Sequence, residues 1–216
     1  MRKVVTICGL AASGKGTVAK GFAKLSGFKY YDLGLLFRFG AYLVSKGLVS
    51  DLSEVKEGER FKYIWNGKES KIVFNGNDIM KALLSPEIAM KTAELASTDK
   101  GFKALSRLAE SVIPKDEDIV CDGRSAGITI FPNADFKFFT HASLPIRVMR
   151  RYENMIKAGY NTTLEQVEKE IIARDKLDMK RRIIPMENIV VLETGESQKG
   201  ESARIIAEIV KRGSGF

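Results

Sequence analysis

Val4-Val5-Thr6-Ile7-Cys8-Gly9-Leu10-Ala11-Ala12-Ser13-Gly14-Lys15-Gly16-Thr17 is a short apolar run, a loop framed by glycines, and a lysine opening the next segment. The run Val4 to Cys8 predicts a buried strand, and Val18, Phe22 and Leu25 recur at helical spacing over Lys15 to Leu25. Between them, glycine, four residues, then glycine-lysine is the spacing of a phosphate-binding loop, in the strand-to-helix context that such a loop requires. Glycines let the backbone curl so that successive amides point inward, and the helix N-terminus adds partial positive charge. Lys15 supplies a point charge for β- and γ-phosphates. An ordinary glycine-rich turn is the plain alternative, and the lysine with both flanking elements argues against it. Gly9, Ala11, Ala12, Ser13, Gly14, Lys15, Gly16 and Thr17 are therefore the candidate donor-binding residues. The hydroxyl stands at Thr17, one place later than in the generic motif, with Gly16 directly after the lysine.

Outward from this loop, strand-like and helix-like segments alternate, which predicts an α/β fold with a largely parallel sheet. Lys29 to Asp32 is a short strand and Leu35 to Lys46 a helix stopped by Gly47. The alternation then breaks. Phe61 to Trp65, a turn at Asn66-Gly67, Lys71 to Phe74, and a second turn pair at Asn75-Gly76 predict a hairpin. Ser85-Pro86 marks the start of a helix to Ser97, with another over Lys100 to Ile113. Residues 48–113 thus read as an inserted lobe, within a core of 1–47 and 114–216. Strands follow at Ile119 to Cys121 and Phe136 to Thr140, then a basic helix from Leu144 to Ala158. Thr163 and Gln166 form a capping box for a helix to about Met179. Ile189 to Leu192 is a last strand, Ala203 to Lys211 a last helix, and the tail from Gly213 to Phe216 is expected to fray.

Two further groups bear chemistry. Asp122 closes the strand Ile119-Val120-Cys121, the place for a carboxylate that holds magnesium through water; an Asp-Gly turn is the alternative reading. Arg147, Arg150 and Arg151 share one helical face, and Arg174, Asp178 and Arg181 share another. An arginine-faced hairpin at about 147–182, able to swing over the loop, suits a kinase lid. Guanidinium forks bind transferring oxygens in fixed geometry, and closure excludes water. A solvated charged face with salt bridges is the alternative, weakened by the loop upstream.

The chain has 216 residues, 44% hydrophobic and 29% charged, with a net charge of +8. These values fit one ordinary globular protein and suggest polyanionic partners. Small phosphorylated molecules fit better than nucleic acid, since no basic run is interleaved with exposed aromatics. No run of eighteen apolar residues exists, so no membrane span is expected. The N-terminus carries no signal-peptide pattern, and Cys8 and Cys121 are expected to be reduced core residues of a cytoplasmic protein. The lone His141 is expected to be structural.

At this point the residues resemble the cytidylate kinases, among the nucleoside monophosphate kinases. The anchors are Ala11 to Thr17, Tyr31-Asp32-Leu33-Gly34 with Arg38, Asp122-Gly123-Arg124, Phe131 to Phe139, Arg150-Arg151-Tyr152, and Arg174-Asp175 through Asp178 and Arg181 to Pro185. The resemblance implies a P-loop NTPase-type parallel-sheet core flanked by helices, an inserted lobe binding the nucleoside monophosphate, and an arginine-rich helical lid. It implies in-line transfer from ATP with Mg2+ to CMP or dCMP, in an enzyme working as a monomer. Lys15, Arg124, Arg151 and Arg181 are the implied catalytic residues and Arg150 joins the donor site. The acceptor falls to Leu33, Arg38, Lys103, Arg124, Ser125, Arg174, Asp178 and Arg181, and the metal to Thr17 and Asp122.

The sequence departs from the family where the acceptor is recognised. Ser125 stands where the family has an aspartate for the cytosine amine, Leu33 replaces a hydroxyl residue, and Phe37 replaces a tyrosine. A base-reaching serine and arginine of the family align with Ala93 and Lys103. A hydrogen bond to a charged group contributes roughly 1.5–3 kcal/mol. CMP with relaxed selectivity, for example toward UMP, is therefore expected. Two rivals stand beside this: a kinase of the same fold acting on UMP or on a hydroxyl acceptor such as shikimate, and a nucleotide-binding protein without turnover.

Overall fold

The computed structural model describes residues 2–58, 60–180, 188–198 and 200–213, the side chains of 177–180 excepted. Arg181 and the side chain of Asp178, both expected at the site, therefore lie outside the described residues, as does Ser214 to Phe216. The elements are β1 (Val4–Gly9), α1 (Lys15–Ser26), β2 (Lys29–Asp32), α2 (Leu33–Ser45), β3 (Phe61–Trp65), β4 (Ser70–Phe74), β5 (Asn77–Asp78), α3 (Met80–Leu83), α4 (Pro86–Ser97), α5 (Asp99–Val112), β6 (Ile119–Asp122), β7 (Phe136–His141), α6 (Leu144–Lys157), α7 (Leu164–Lys180), β8 (Val190–Glu193) and α8 (Glu201–Arg212). The central sheet has five strands in the order β2-β6-β1-β7-β8. It is parallel and flanked by helices, as the alternation of elements predicts.

The chain divides into two compact units, Met1–Arg2 with Lys29–Ile119, and Lys3–Phe28 with Val120–Phe216. In the second, β1 is buried at all six positions, the continuous burial expected of a central parallel strand. It pairs with β7 in the register Val5 with Phe136 through Gly9 with Thr140. A parallel sheet gathers the C-terminal ends of its strands along one edge, where ligands of such folds bind. Gly9, Asp122, His141 and Glu193 all stand at strand ends on that edge. Helices α1 and α8 pack so closely that a Cβ on Gly21 would lie 2.9 Å from that of Ala203.

Helices α6 and α7 carry a small core of their own. Val148 of α6 meets Val167 and Ile171 of α7, with Leu144, Tyr152, Met155 and the loop residue Ala12 around them. The capping box forms as expected: Gln166 N donates to Thr163 Oγ1 at 3.2 Å, and Thr163 N to Gln166 Oε1 at 2.9 Å.

In the first unit, β3, β4 and β5 form an antiparallel sheet, one short strand more than the expected hairpin. Asn75 and Gly76, with φ 49° and 78°, make the turn between β4 and β5. Phe39 of α2 stacks on Phe61 at 4.5 Å, and Tyr31 on Tyr63 at 4.7 Å. The Tyr63 hydroxyl accepts from Asp32 N at 2.8 Å and donates to Ser70 Oγ at 2.7 Å, tying the end of β2 to the sheet. Helix α2 begins two residues before the expected Leu35, because the Asp32 carboxylate caps it by accepting from Leu35 N at 3.0 Å. Helix α4 buries only Ile88, and Met90 is 73% exposed on it.

Candidate active site

The loop between β1 and α1 is held in a conformation that ordinary chain would resist. Ala12 has φ 58° and Gly14 φ 86°, both left-handed, and such a position costs a residue with a side chain roughly 1–2 kcal/mol. Backbone strain of this kind persists where surrounding structure fixes it. Here the fixing is visible. Ser13 Oγ lies 2.8 Å from Thr140 Oγ1, and Thr140 Oγ1 donates to Cys8 O at 3.2 Å. Thr194, directly after β8, places its Oγ1 2.7 Å from Ser13 O and 2.8 Å from His141 O. A Cβ on Gly9 would stand 2.3 Å from Thr140 Oγ1, so only glycine lets these strand ends meet the loop.

Lys15 is half-buried, and its Nζ donates to Leu10 O within the loop at 3.3 Å. That bond is long and readily exchanged for a phosphate oxygen. Arg150 of α6 donates through Nη2 to Thr194 O at 2.6 Å. Its other terminal nitrogen, Nη1, is buried with no hydrogen-bond partner among the described residues, and it stands 3.6 Å from where a Cβ on Gly14 would be. An unmatched buried guanidinium donor beside the left-handed loop at Ala12 and Gly14 is an arrangement that an anion would complete.

Arg147 behaves differently from its helical neighbours. Its side chain is 6% exposed; Nε donates to Ala142 O at 3.1 Å, Nη1 to Ala11 O at 3.2 Å, and Nη2 pairs with Asp175 at 2.7 Å. Spacing places Arg147 on a face with Arg150 and Arg151, but its fork is spent on the loop backbone and on α7. It is a clamp, not a phosphate ligand.

Arg151 and Arg174 meet at one carboxylate oxygen. Glu170 Oε1 accepts from Arg151 Nη2 at 3.3 Å and from Arg174 Nη1 at 3.0 Å. Burial, followed by the nearby positive charge of Arg124, pulls the Arg174 guanidinium below the ordinary arginine range, with Glu170 opposing the change. Arg124, Arg151 and Arg174 therefore share one positive field. Ser125 follows Arg124, buried at the head of a π-turn over Ala126–Ile130, and its carbonyl accepts from Thr129 N at 2.9 Å.

Asp122 is buried at the end of β6. Lys15 and Asp122 both act electrostatically on Cys8, which places the lysine and the carboxylate around the same strand end. Burial itself is the larger influence on that thiol, pushing it up to about 11, so Cys8 is inert packing. Asp122 is a hard oxygen donor of the kind Mg2+ takes alongside water and phosphate. Thr17 is exposed on the first turn of α1. Among the described residues no group of three or more His, Cys, Asp or Glu forms a metal cage.

In the first unit, Leu33 is buried at the start of α2, and Arg38 donates through Nη1 to Leu83 O at 3.0 Å. Phe37 meets Phe102 edge to face at 5.7 Å. Lys103 and Ala93 are exposed on α5 and α4. His141 pairs through Nδ1 with Glu193 Oε2 at 2.7 Å across adjacent strands. Sequence reading missed Thr140, Thr194 and Glu170. The two threonines stand at the ligand-bearing edge of a parallel sheet, and Glu170 lies four residues before Arg174; those were the available signals.

Comparisons with known proteins place the chain in a family. A cytidylate kinase family model matches residues 5–212. The chain is 34% identical over 216 residues to the cytidylate kinase of Thermotoga maritima, covering 96% of each chain. It is 33% identical to that of Thermodesulfovibrio yellowstonii, covering 86% of each. Among solved structures, TT1252 from Thermus thermophilus shares the fold, with a TM-score of 0.50 and 16% identity over 97% of each chain. The family match runs through the loop, α6, α7 and α8, and sequence identity of this extent joins the chain to proteins of one name: it belongs to the cytidylate kinase family.

Proposed function

We propose that the protein transfers the γ-phosphoryl group of ATP, with Mg2+, to CMP or dCMP, giving ADP and CDP or dCDP. The observation that carries this reading is the strained loop of Ala12 and Gly14, with Lys15 turned onto a loop carbonyl and an unmatched buried nitrogen of Arg150 beside it. Loop amides and Lys15 hold the donor phosphates, and Arg150 adds a contact beside Gly14. Asp122, through water, and Thr17 would hold the metal, which neutralises phosphate charge when bound. Arg124, Arg151 and Arg181 gather charge developing on the transferring group, Arg38 takes the acceptor phosphate, and Arg174 contacts the acceptor's sugar and phosphate. Leu33, Lys103, Ser125 and Asp178 complete the acceptor side. The acceptor phosphate is ionised near neutral pH, so it attacks without a general base. Family membership supports the acceptor class, and the protein is expected to act as a monomer in the cytoplasm.

Ser125 favours one refinement. A neutral hydroxyl discriminates for the cytosine amine more weakly than a carboxylate, so UMP is a slower second acceptor. Steady-state kcat/KM for CMP, dCMP, UMP and AMP tests both parts. CMP or dCMP first with UMP within about a hundredfold supports them. A clear preference for AMP overturns the assignment.

A further inference from the structure

Two arginines, one from each of α6 and α7, meet on a single oxygen. Arg151 comes from α6 and Arg174 from α7, and Glu170 Oε1 accepts from both. The three side chains are each about two-fifths exposed, at 39%, 42% and 36% for Arg151, Arg174 and Glu170. Ion pairs this open are weak. The 3.3 Å contact to Arg151 is at the long end of a hydrogen bond, and Arg151 Nε is buried with no partner among the described residues. Two forks therefore offer more donors than one carboxylate oxygen satisfies. A phosphoryl group, with three equatorial oxygens, satisfies them better.

Resting on the function proposed above, we propose that Glu170 is an internal stand-in for phosphate: it holds Arg151 and Arg174 together in the nucleotide-free enzyme and competes with the product's phosphates for them. It is a positioning residue, since it acts through the arginines. Its charge reduces repulsion among Arg124, Arg151 and Arg174 when no nucleotide is present. Its competition keeps the lid from binding diphosphate products too tightly, and so speeds release. Half-exposed, replaceable pairs serve that purpose, whereas a buried pair such as Arg147 with Asp175 would not exchange.

The test compares wild type with Glu170→Gln and Glu170→Asp. Calorimetry with MgADP and with CDP gives the affinities; rapid-quench single turnover and steady-state kcat give the rates. Gln keeps the shape and removes the charge. It is expected to bind CDP about fivefold more tightly, with kcat lowered by a similar factor and the single-turnover rate within about twofold of wild type. Asp keeps the charge and should stay within about twofold of wild type in affinity. Equal or weaker product binding by Glu170→Gln overturns the proposal, as does equal tightening by both variants. A purely structural role would lower melting temperature and weaken binding together. If Glu170→Gln does not fold, product affinity in the Asp variant tightened by fivefold or more also overturns it. Failure of wild type to bind MgADP or CDP at all strikes the proposed function instead.

Discussion

Two regions of the second unit gather positive charge, and they hold it in opposite ways. The loop after β1 is fixed: its left-handed residues are braced by Ser13, Thr140 and Thr194, and Arg147 clamps Ala11 from below. The lid face of Arg151 and Arg174 is loose, hung on one half-exposed carboxylate. The difference teaches how one enzyme both positions and releases. A preorganised cradle costs no reorganisation at the moment of reaction. A lid whose contacts exchange easily closes on substrates and reopens for products. Arg147 and Arg150 show the contrast within three residues of one helix, the first fully committed and the second with a nitrogen to spare.

Removing the charge from the fixed region has the largest expected effect. Lys15→Ala should lower kcat by about 10³-fold or more while the melting temperature changes little. Activity and thermal unfolding of the same preparation check this; a tenfold loss or less would mean that the loop amides suffice. Next comes the clamp. Arg147→Ala leaves Asp175 buried without its partner and should cost about 3 kcal/mol of stability, read by urea unfolding. Arg151→Ala, from the loose region, should cost less than 1 kcal/mol in the same measurement, although it lowers kcat. Equal destabilisation by the two would erase the distinction between the regions.

Acceptor selectivity lies next in size. Ser125→Asp should raise the CMP-over-UMP ratio of kcat/KM by about tenfold, since a carboxylate accepts from the amine more strongly than a hydroxyl does. The smallest effect belongs to the surface brace beside the loop. The hydrogen bond from His141, then that from Gly195 N, holds the Glu193 carboxyl below the usual carboxylate range. A depressed carboxylate stabilises the fold above its unfolded value and loses that contribution as pH falls through the folded one. His141→Ala should therefore lose a little stability at neutral pH and none in acid, seen as a slightly shallower acid limb in a plot of melting temperature against pH.

Much of the fold was legible because its signals are long or strongly placed. The buried run before Gly9, the helical spacing after it, the Ser85-Pro86 start and the Thr163–Gln166 box all became the elements they predict. What escaped was short. The 3₁₀ turn Leu52–Glu54, the two-residue β5, the one-turn α3 and the π-turn at Ala126–Ile130 span too few residues for periodicity to show. The loop after β1 was equally plain, since glycine and lysine spacing is a local property. Spacing also placed Arg147, Arg150 and Arg151 on one face, but whether a fork turns inward depends on Asp175 and Ala11, distant in sequence. Thr140 and Thr194 were silent for the same reason: their part is set by strand order, which a linear pattern does not display.

The most direct measurement of the central claim follows label from γ-labelled ATP in the presence of Mg2+ and CMP. Loop and arginine face acting together should place the label on CDP, one ADP formed for each CDP, with both products falling by about 10³-fold or more when Lys15 is replaced by alanine. Label appearing as inorganic phosphate at the same rate with and without CMP would contradict that claim.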